Sequence, residues 1–190
     1  MGDDVRVLAP LRSTALLLLC GLCAALAGPA EPGGGALGGL LSRSDGGILG
    51  TVVSHEVRAF EAPDGEEVFF TTVGVEGTDL ATGAPETLEV TFSGGFIHAT
   101  RGAHSSTAPP ADEVRTGRRV LMFHRHVDHI AEGFSGDVLV DGREGLFPWF
   151  SSRRGETIVQ GRGRAITRNV RLLQLRDTVR RCRETLGQGR

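Results

Sequence analysis

Apolar and polar residues alternate along several short stretches of this chain. The clearest stretch is 87–92, in which Leu88, Val90 and Phe92 are separated by polar residues. A period of two is typical of a strand with one buried face. Further strands are predicted at residues 48–60, 66–76, 120–123, 137–140, 146–150 and 157–159.

The first two predicted strands form a hairpin. The turn at 61–65 contains Pro63 and Gly65, and it is favoured because proline fixes φ and glycine accepts positive φ. Alternation is lost around His55 and Glu56, which indicates a β-bulge in the first strand.

The segment Val120-Leu121-Met122-Phe123 has four consecutive apolar residues after a polar corner at 117–119. Such a run is typical of a strand that is buried on both faces. With turn signals between strands at a spacing of about ten residues, residues 48–165 are predicted to form one mainly β domain. We expect a small antiparallel barrel or sandwich, with an OB-like barrel among the candidates.

The period of the pattern lengthens in the basic C-terminal segment, residues 166–190. Apolar residues recur there at helical spacing, and Gly187 is a stop signal. These positions are Val170, Leu172, Leu173, Leu175, Val179, Cys182 and Leu186. We predict an amphipathic helix that docks on the β-domain rather than on a membrane, because its apolar stripe is narrow and lacks Trp and Phe.

Residues 1–27 have the pattern of a secretory signal peptide. Arg6 and Arg12 precede an apolar stretch at 15–26, which ends in the small-residue pattern of a cleavage site. We expect cleavage after Ala27 and export to the periplasm or the extracellular space. A transmembrane anchor is not expected, because a bilayer span needs about 20 apolar residues.

Cysteine usage adds one alternative to this prediction. Cys20 and Cys23 lie inside the apolar stretch, but a lipoprotein signal needs a small residue where Leu19 and Leu22 stand. Cleavage is therefore favoured over lipidation. Once the signal is removed only Cys182 remains, so no intramolecular disulfide can form.

Residues 28–47 are rich in glycine and proline. This composition predicts a flexible linker. Leu37, Leu40 and Leu41 are the residues that could pack locally.

Charge is divided unevenly along the chain, although the net charge is only -2. Residues 28–150 contain 8 Arg and 18 acidic residues, whereas 151–190 contain 11 Arg and 3 acidic residues. Neutralisation of the acidic body by the basic tail is the simpler interpretation. A tail that binds an anionic lipid or polymer is the alternative, but nucleic acid is not expected because the tail lacks aromatic residues for stacking.

A cluster of histidines follows the central strand. His124, His126, Asp128 and His129 spell H-x-H-x-D-H, which resembles the zinc-ligand motif of the metallo-β-lactamase superfamily. The resemblance implies a metal site on these four residues, and zinc as its cofactor. That superfamily needs a further histidine downstream, and none follows His129. The alternative is a strand end whose polar side chains extend into water.

A second resemblance covers residues 48–150. Its pattern consists of Gly50, Val52, Val53, Arg58, Gly83, Val90-Thr91-Phe92, Gly94-Gly95, Pro109-Pro110, Gly117, Val120-Leu121, Phe123, Gly145 and Phe147. The pattern resembles a group of uncharacterised exported bacterial β-domains. It implies a secreted β-domain without an established activity.

These observations predict an exported, non-catalytic β-domain that binds a ligand or associates with the cell envelope. No catalytic or cofactor-binding residue is assigned. The expected partner is an envelope polymer or a protein. A metal-binding protein or zinc-dependent hydrolase, built on the histidine cluster, is the alternative.

Overall fold

A computed structural model of the protein describes residues 34–188. The predicted signal peptide, 1–27, and the first six residues of the predicted linker lie outside the described residues. The helices are α1 (Gly34–Ser42) and α2 (Leu172–Gln188). The strands are β1 (Gly46–Glu61), β2 (Glu67–Asp79), β3 (Pro85–Ser93), β4 (Gly95–His98), β5 (Arg101–Ala103), β6 (Arg119–Ala131), β7 (Phe134–Leu139), β8 (Leu146–Ser151), β9 (Thr157–Val159) and β10 (Val170–Arg171).

Five strands close into a barrel in the order β1-β2-β3-β7-β6, with β6 pairing back onto β1. The predicted mainly β barrel with a C-terminal helix is confirmed. All pairs in the barrel are antiparallel except β3 with β7, which run parallel at Val90↔Asp137 and Thr91↔Val138. A five-stranded Greek-key barrel of this kind has an OB-type arrangement.

The barrel interior is one of two hydrophobic cores. Because side chains alternate between the faces of a strand, every second residue of each barrel strand points inward. The buried interior residues include Ile48, Val52, Val73, Val75, Val90, Val120, Met122 and Leu139. Because this core fills the barrel interior, a binding site must lie at an end or on the outer wall of the barrel.

The second core lies outside the barrel, against the other face of β6. Leu121 and Phe123 are fully buried there, and Phe147 packs edge-on to Phe123 with ring centroids 6.1 Å apart. The strand is therefore covered on both faces, as predicted. The partly buried Trp149 of β8 also packs here, and its indole Nε1 donates a 3.0 Å hydrogen bond to the Gly50 carbonyl of β1.

Helix α1 corrects the prediction of a flexible linker over 28–47, which is wrong for residues 34–42. Leu37, Leu40 and Leu41 are all buried in the second core. Burying three leucines offsets the low helix propensity of the glycines around them. The β-domain also begins earlier than predicted, since β1 starts at Gly46.

Helix α2 docks on the protein, as its amphipathic pattern predicts. Leu175 and Val179 are buried in the second core. The guanidinium of Arg176 donates to the Leu80 carbonyl (3.1 Å), and that of Arg183 donates to the Asp45 carbonyl (2.9 Å). Among the described residues, no helix is long and apolar enough to cross a membrane.

Beyond Val52, β1 and β2 extend past the barrel as a hairpin arm, residues 53–70. The arm begins at a register shift between Val52 and Ser54, which is close to the bulge predicted from the loss of alternation. One face of the arm is covered by the β4–β5 hairpin, where the Thr71 hydroxyl donates to the Gly94 carbonyl at 2.6 Å. The opposite face of the arm carries the aromatic side chains described below.

Candidate functional site

One end of the barrel interior is polar, and we call it the barrel mouth (Asp79, Glu86, His124 and Asp137). Along β6 the inward positions change from Met122 to His124, and along β7 the adjacent inward positions are Asp137 and Leu139. Glu86 precedes the core-packed Leu88 by two residues on β3, so its carboxyl faces the same way. Titratable groups from several strands therefore meet at this end.

His124 is held inside the barrel mouth and is only 8% exposed. Its Nδ1 lies 2.9 Å from Oδ1 of Asp137, and because a carboxylate only accepts, Nδ1 carries the proton of this hydrogen bond. Gly46 faces His124 across β1 and β6. A Cβ at this glycine would overlap the imidazole Nε2, so the close approach requires glycine.

The four predicted metal ligands do not surround one point, although His124 and His126 both approach Asp137. The imidazole of His126 is 56% exposed and lies 3.8 Å from Asp137 and 3.8 Å from Asp128. The Asp128 side chain is 90% exposed, and His129 is also exposed. The alternative prediction, a strand end whose polar side chains extend into water, fits His126, Asp128 and His129. It is wrong for His124, which is buried. Within residues 34–188, no group of three or more His, Cys, Asp or Glu side chains is placed to hold a metal ion.

Two carboxyl groups of the barrel mouth have opposite environments. Oδ1 of Asp79 accepts two 2.6 Å hydrogen bonds, from the backbone N–H and the hydroxyl of Thr82. Burial acts to raise the pKa of Asp79, but these bonds together with Arg183 outweigh burial and lower it. Asp79 is therefore a stabilised carboxylate.

Glu86 lacks such support. Its Oε2 is buried and accepts no hydrogen bond within the described residues. Burial raises the pKa of Glu86; His124 opposes this shift, while the negative charges of Asp79 and Asp137 add to it. The ionised form of Glu86 is thus disfavoured in the folded protein. Neither Glu86 nor Asp137 was predicted, although each stands two residues from an apolar inward position.

A second feature is an aromatic face on the outer wall of the barrel, formed by Phe60, Phe70 and Phe134 with Arg58. The rings of Phe60 and Phe134 are stacked, with centroids 5.0 Å apart and an interplanar angle of 14°. Phe70 meets Phe60 edge-on at 5.8 Å. The Arg58 guanidinium lies 6.0 Å from the Phe134 centroid. All three rings are only partly buried, so part of each ring is accessible to solvent.

The strands behind the rings fix this surface. Phe60 and Phe70 lie on the hairpin arm, and Phe134 follows the tight turn between β6 and β7, where Gly133 has φ +67°. A cavity of about 130 Å³ adjoins Phe70. Its other lining residues include Thr91, Ser93, Thr107, Val138 and Gly142. Of the three rings, Phe70 is the one that lines this cavity.

The surroundings of the aromatic face are acidic. Arg58 donates a 2.6 Å hydrogen bond to Glu56, and this bond lowers the pKa of Glu56. Glu66 and Glu89 are also exposed on or beside the arm, so the face has an excess of negative charge, which repels polyanions.

Comparisons with protein-family models, with curated proteins and with solved structures gave no match to this chain. The protein is thus a small closed β-barrel with a polar barrel mouth, and its aromatic face is the candidate ligand-binding surface.

Proposed function

We propose that this chain is an exported, non-catalytic binding module whose aromatic face contacts an oligosaccharide chain of the cell envelope. The observation that carries the proposal is the stacked pair Phe60–Phe134 with Phe70 beside it, all three rings partly accessible on one wall of the barrel. Partly exposed aromatic rings next to a cavity are typical of ligand sites, because they supply apolar area with little loss of side-chain entropy.

The position of this surface on the barrel supports the proposal. In OB-type barrels, the face of the second and third strands and the loops after the first and fourth strands bind oligosaccharides and oligonucleotides. Here Phe70 is on the second barrel strand and Thr91 on the third, while Phe60 and Phe134 flank those two loops. Barrels of one fold bind unrelated ligands, and here the aromatic side chains give this surface its chemistry.

The charge of the face selects between the two ligand classes. Binding of an oligonucleotide depends on Lys and Arg neutralising its phosphates. The aromatic face has one arginine, which is already paired with Glu56, and a rim of exposed glutamates. A neutral glycan chain can pack against the aromatic rings without this repulsion.

Co-sedimentation of the purified protein with insoluble peptidoglycan tests the proposal. We expect binding that soluble N-acetylglucosamine oligomers compete away, and Phe134→Ala to weaken it about tenfold, as for an aromatic hot-spot residue. Phe150→Ala is the matched control, because Phe150 is 43% exposed but lies on β8, outside the barrel. Absence of binding, or equal losses in the two variants, would overturn the proposal.

A further inference from the structure

Among residues 34–188, one edge of β1 has no strand partner over its second half. Residues Gly46 to Thr51 pair with β6, and Val52 exchanges backbone hydrogen bonds with Gly117 and Arg118 at 2.8 and 2.9 Å. Gly117, at φ +86°, turns the incoming chain away at this point. From Val53 to Glu61 the described residues supply pairing on the β2 side only. An edge of nine residues therefore remains available for another strand.

Several exposed apolar side chains lie on the hairpin arm and on β4. Seven large apolar residues of the described chain are exposed, and four of them lie on the hairpin arm or on the β4 strand that packs beside it. These four are Val53, Val68, Phe96 and Ile97. Clustered exposed apolar residues mark interaction surfaces more often than single ones do.

The sequence of the edge is complementary to itself. If two copies pair antiparallel about Val57, Val57 lies opposite its own copy. Glu56 of each chain then lies opposite Arg58 of the other, on one face of the sheet. Pairing about Glu56 or about Arg58 would instead place like charges opposite each other. The two-fold arrangement about Val57 is thus the one that charge favours.

We propose that a second copy of this chain pairs with the free edge of β1, through antiparallel contacts of residues 53–61 across a two-fold axis. Such a contact is isologous, the commonest form of homodimer. Ser54, Glu56, Arg58 and Phe60 share one face of β1, so the dimer places two aromatic faces on one continuous sheet. Under the proposed function, a polymer that spans both faces would bind with increased avidity.

A charge-exchange experiment without any ligand tests the pairing, so that its result is independent of the glycan proposal. The protein is followed by sedimentation velocity from about 1 µM to about 1 mM, a range that covers weak to moderate dimers. Glu56→Arg and Arg58→Glu are each expected to weaken self-association about tenfold, because each places like charges opposite across the axis. The double exchange E56R/R58E restores the homodimer.

Mixing the two single variants gives the decisive measurement. The introduced arginines of one chain then face the glutamates of the other, so the mixture is expected to form a heterodimer more stable than either homodimer. Glu67→Arg is the matched control, since Glu67 lies on β2 and not on the β1 edge, and it is expected to leave association unchanged. A protein that stays monomeric over the whole range, or a dimer that is indifferent to both single exchanges, would overturn the inference.

Discussion

Nδ1 of His124 lies 2.9 Å from Oδ1 of Asp137, and this hydrogen bond joins β6 to β7 inside the barrel mouth. The contact explains why a histidine follows four buried apolar residues, Val120 to Phe123, without breaking the strand. A buried imidazole needs a partner for its N–H, and Asp137 provides one from the adjacent strand.

Removing this partner is expected to destabilise the fold. Asp137→Ala leaves the buried imidazole N–H unsatisfied, which costs about 1–3 kcal/mol in the free energy of unfolding. Urea denaturation followed by circular dichroism measures the change. Asp128→Ala is the control, because the Asp128 side chain is 90% exposed, and its effect should stay within about 0.5 kcal/mol. Equal effects of the two substitutions would contradict this role of Asp137.

Glu86 predicts how stability depends on pH. The pKa of Glu86 is raised in the folded state above the ordinary value of 4.5. The stabilisation of the folded protein by protonated Glu86 is therefore fully present below pH 4.5. This stabilisation is lost as pH rises through the raised pKa of the folded state. Glu86→Gln removes the buried charge, so the variant should be more stable than the parent protein at neutral pH, with the difference disappearing in acid.

Thermal unfolding measured from acid to neutral pH checks this expectation. Glu89→Gln is the control, since Glu89 lies on the exposed side of the same strand, and it should leave the pH profile unchanged. A parent protein and Glu86→Gln variant with parallel pH profiles would show that Glu86 does not titrate differently in the folded state.

The approach of His124 to Gly46 predicts a strong coupling between them. Gly46→Ala places a methyl group against the imidazole, and overpacking of this kind costs about 1–3 kcal/mol. In a His124→Ala background the same change should cost about half as much or less, because the clash is removed. Gly38→Ala in α1 is a useful contrast, since no atom lies within 4 Å of its added Cβ.

The dispersed histidines predict the outcome of metal analysis. Purified protein that has been incubated with zinc and dialysed should retain less than about 0.1 equivalent, because a stable site needs three or four ligands around one point. The double variant His124→Ala/His126→Ala is measured in parallel. One equivalent of zinc in the parent protein, lost in the double variant, would restore the zinc hypothesis.

Local patterns in the sequence were enough to predict the main strands, helix α2 and a bulge in β1, which was predicted around His55 and Glu56 and lies between Val52 and Ser54. Helix α1 was missed because its glycines disfavour a helix locally, and only tertiary burial of Leu37, Leu40 and Leu41 stabilises it. Local propensity cannot report such a contact. The same limit applied to His124, whose burial depends on Asp137 in another strand.

The aromatic face could not have been predicted from spacing. Phe60 and Phe134 are stacked although they are distant along the chain, and they meet only because β7 closes the barrel against β3 in a parallel pair. Glu86 was likewise overlooked, because the inward side of a strand end is defined only when the neighbouring strands are known. The order of the strands, rather than the type of residue, brings together the side chains of the aromatic face and of the barrel mouth.

Trp149 is the only tryptophan of the chain, and the chain has no tyrosine. The Trp149 indole donates a hydrogen bond to the Gly50 carbonyl, which links β8 to β1. Intrinsic fluorescence excited near 295 nm therefore reports on the contact between these two strands. Detachment of the outer layer from an intact barrel would change the emission before the far-ultraviolet signal of the strands. The two optical probes can therefore time-resolve the order in which the two cores come apart.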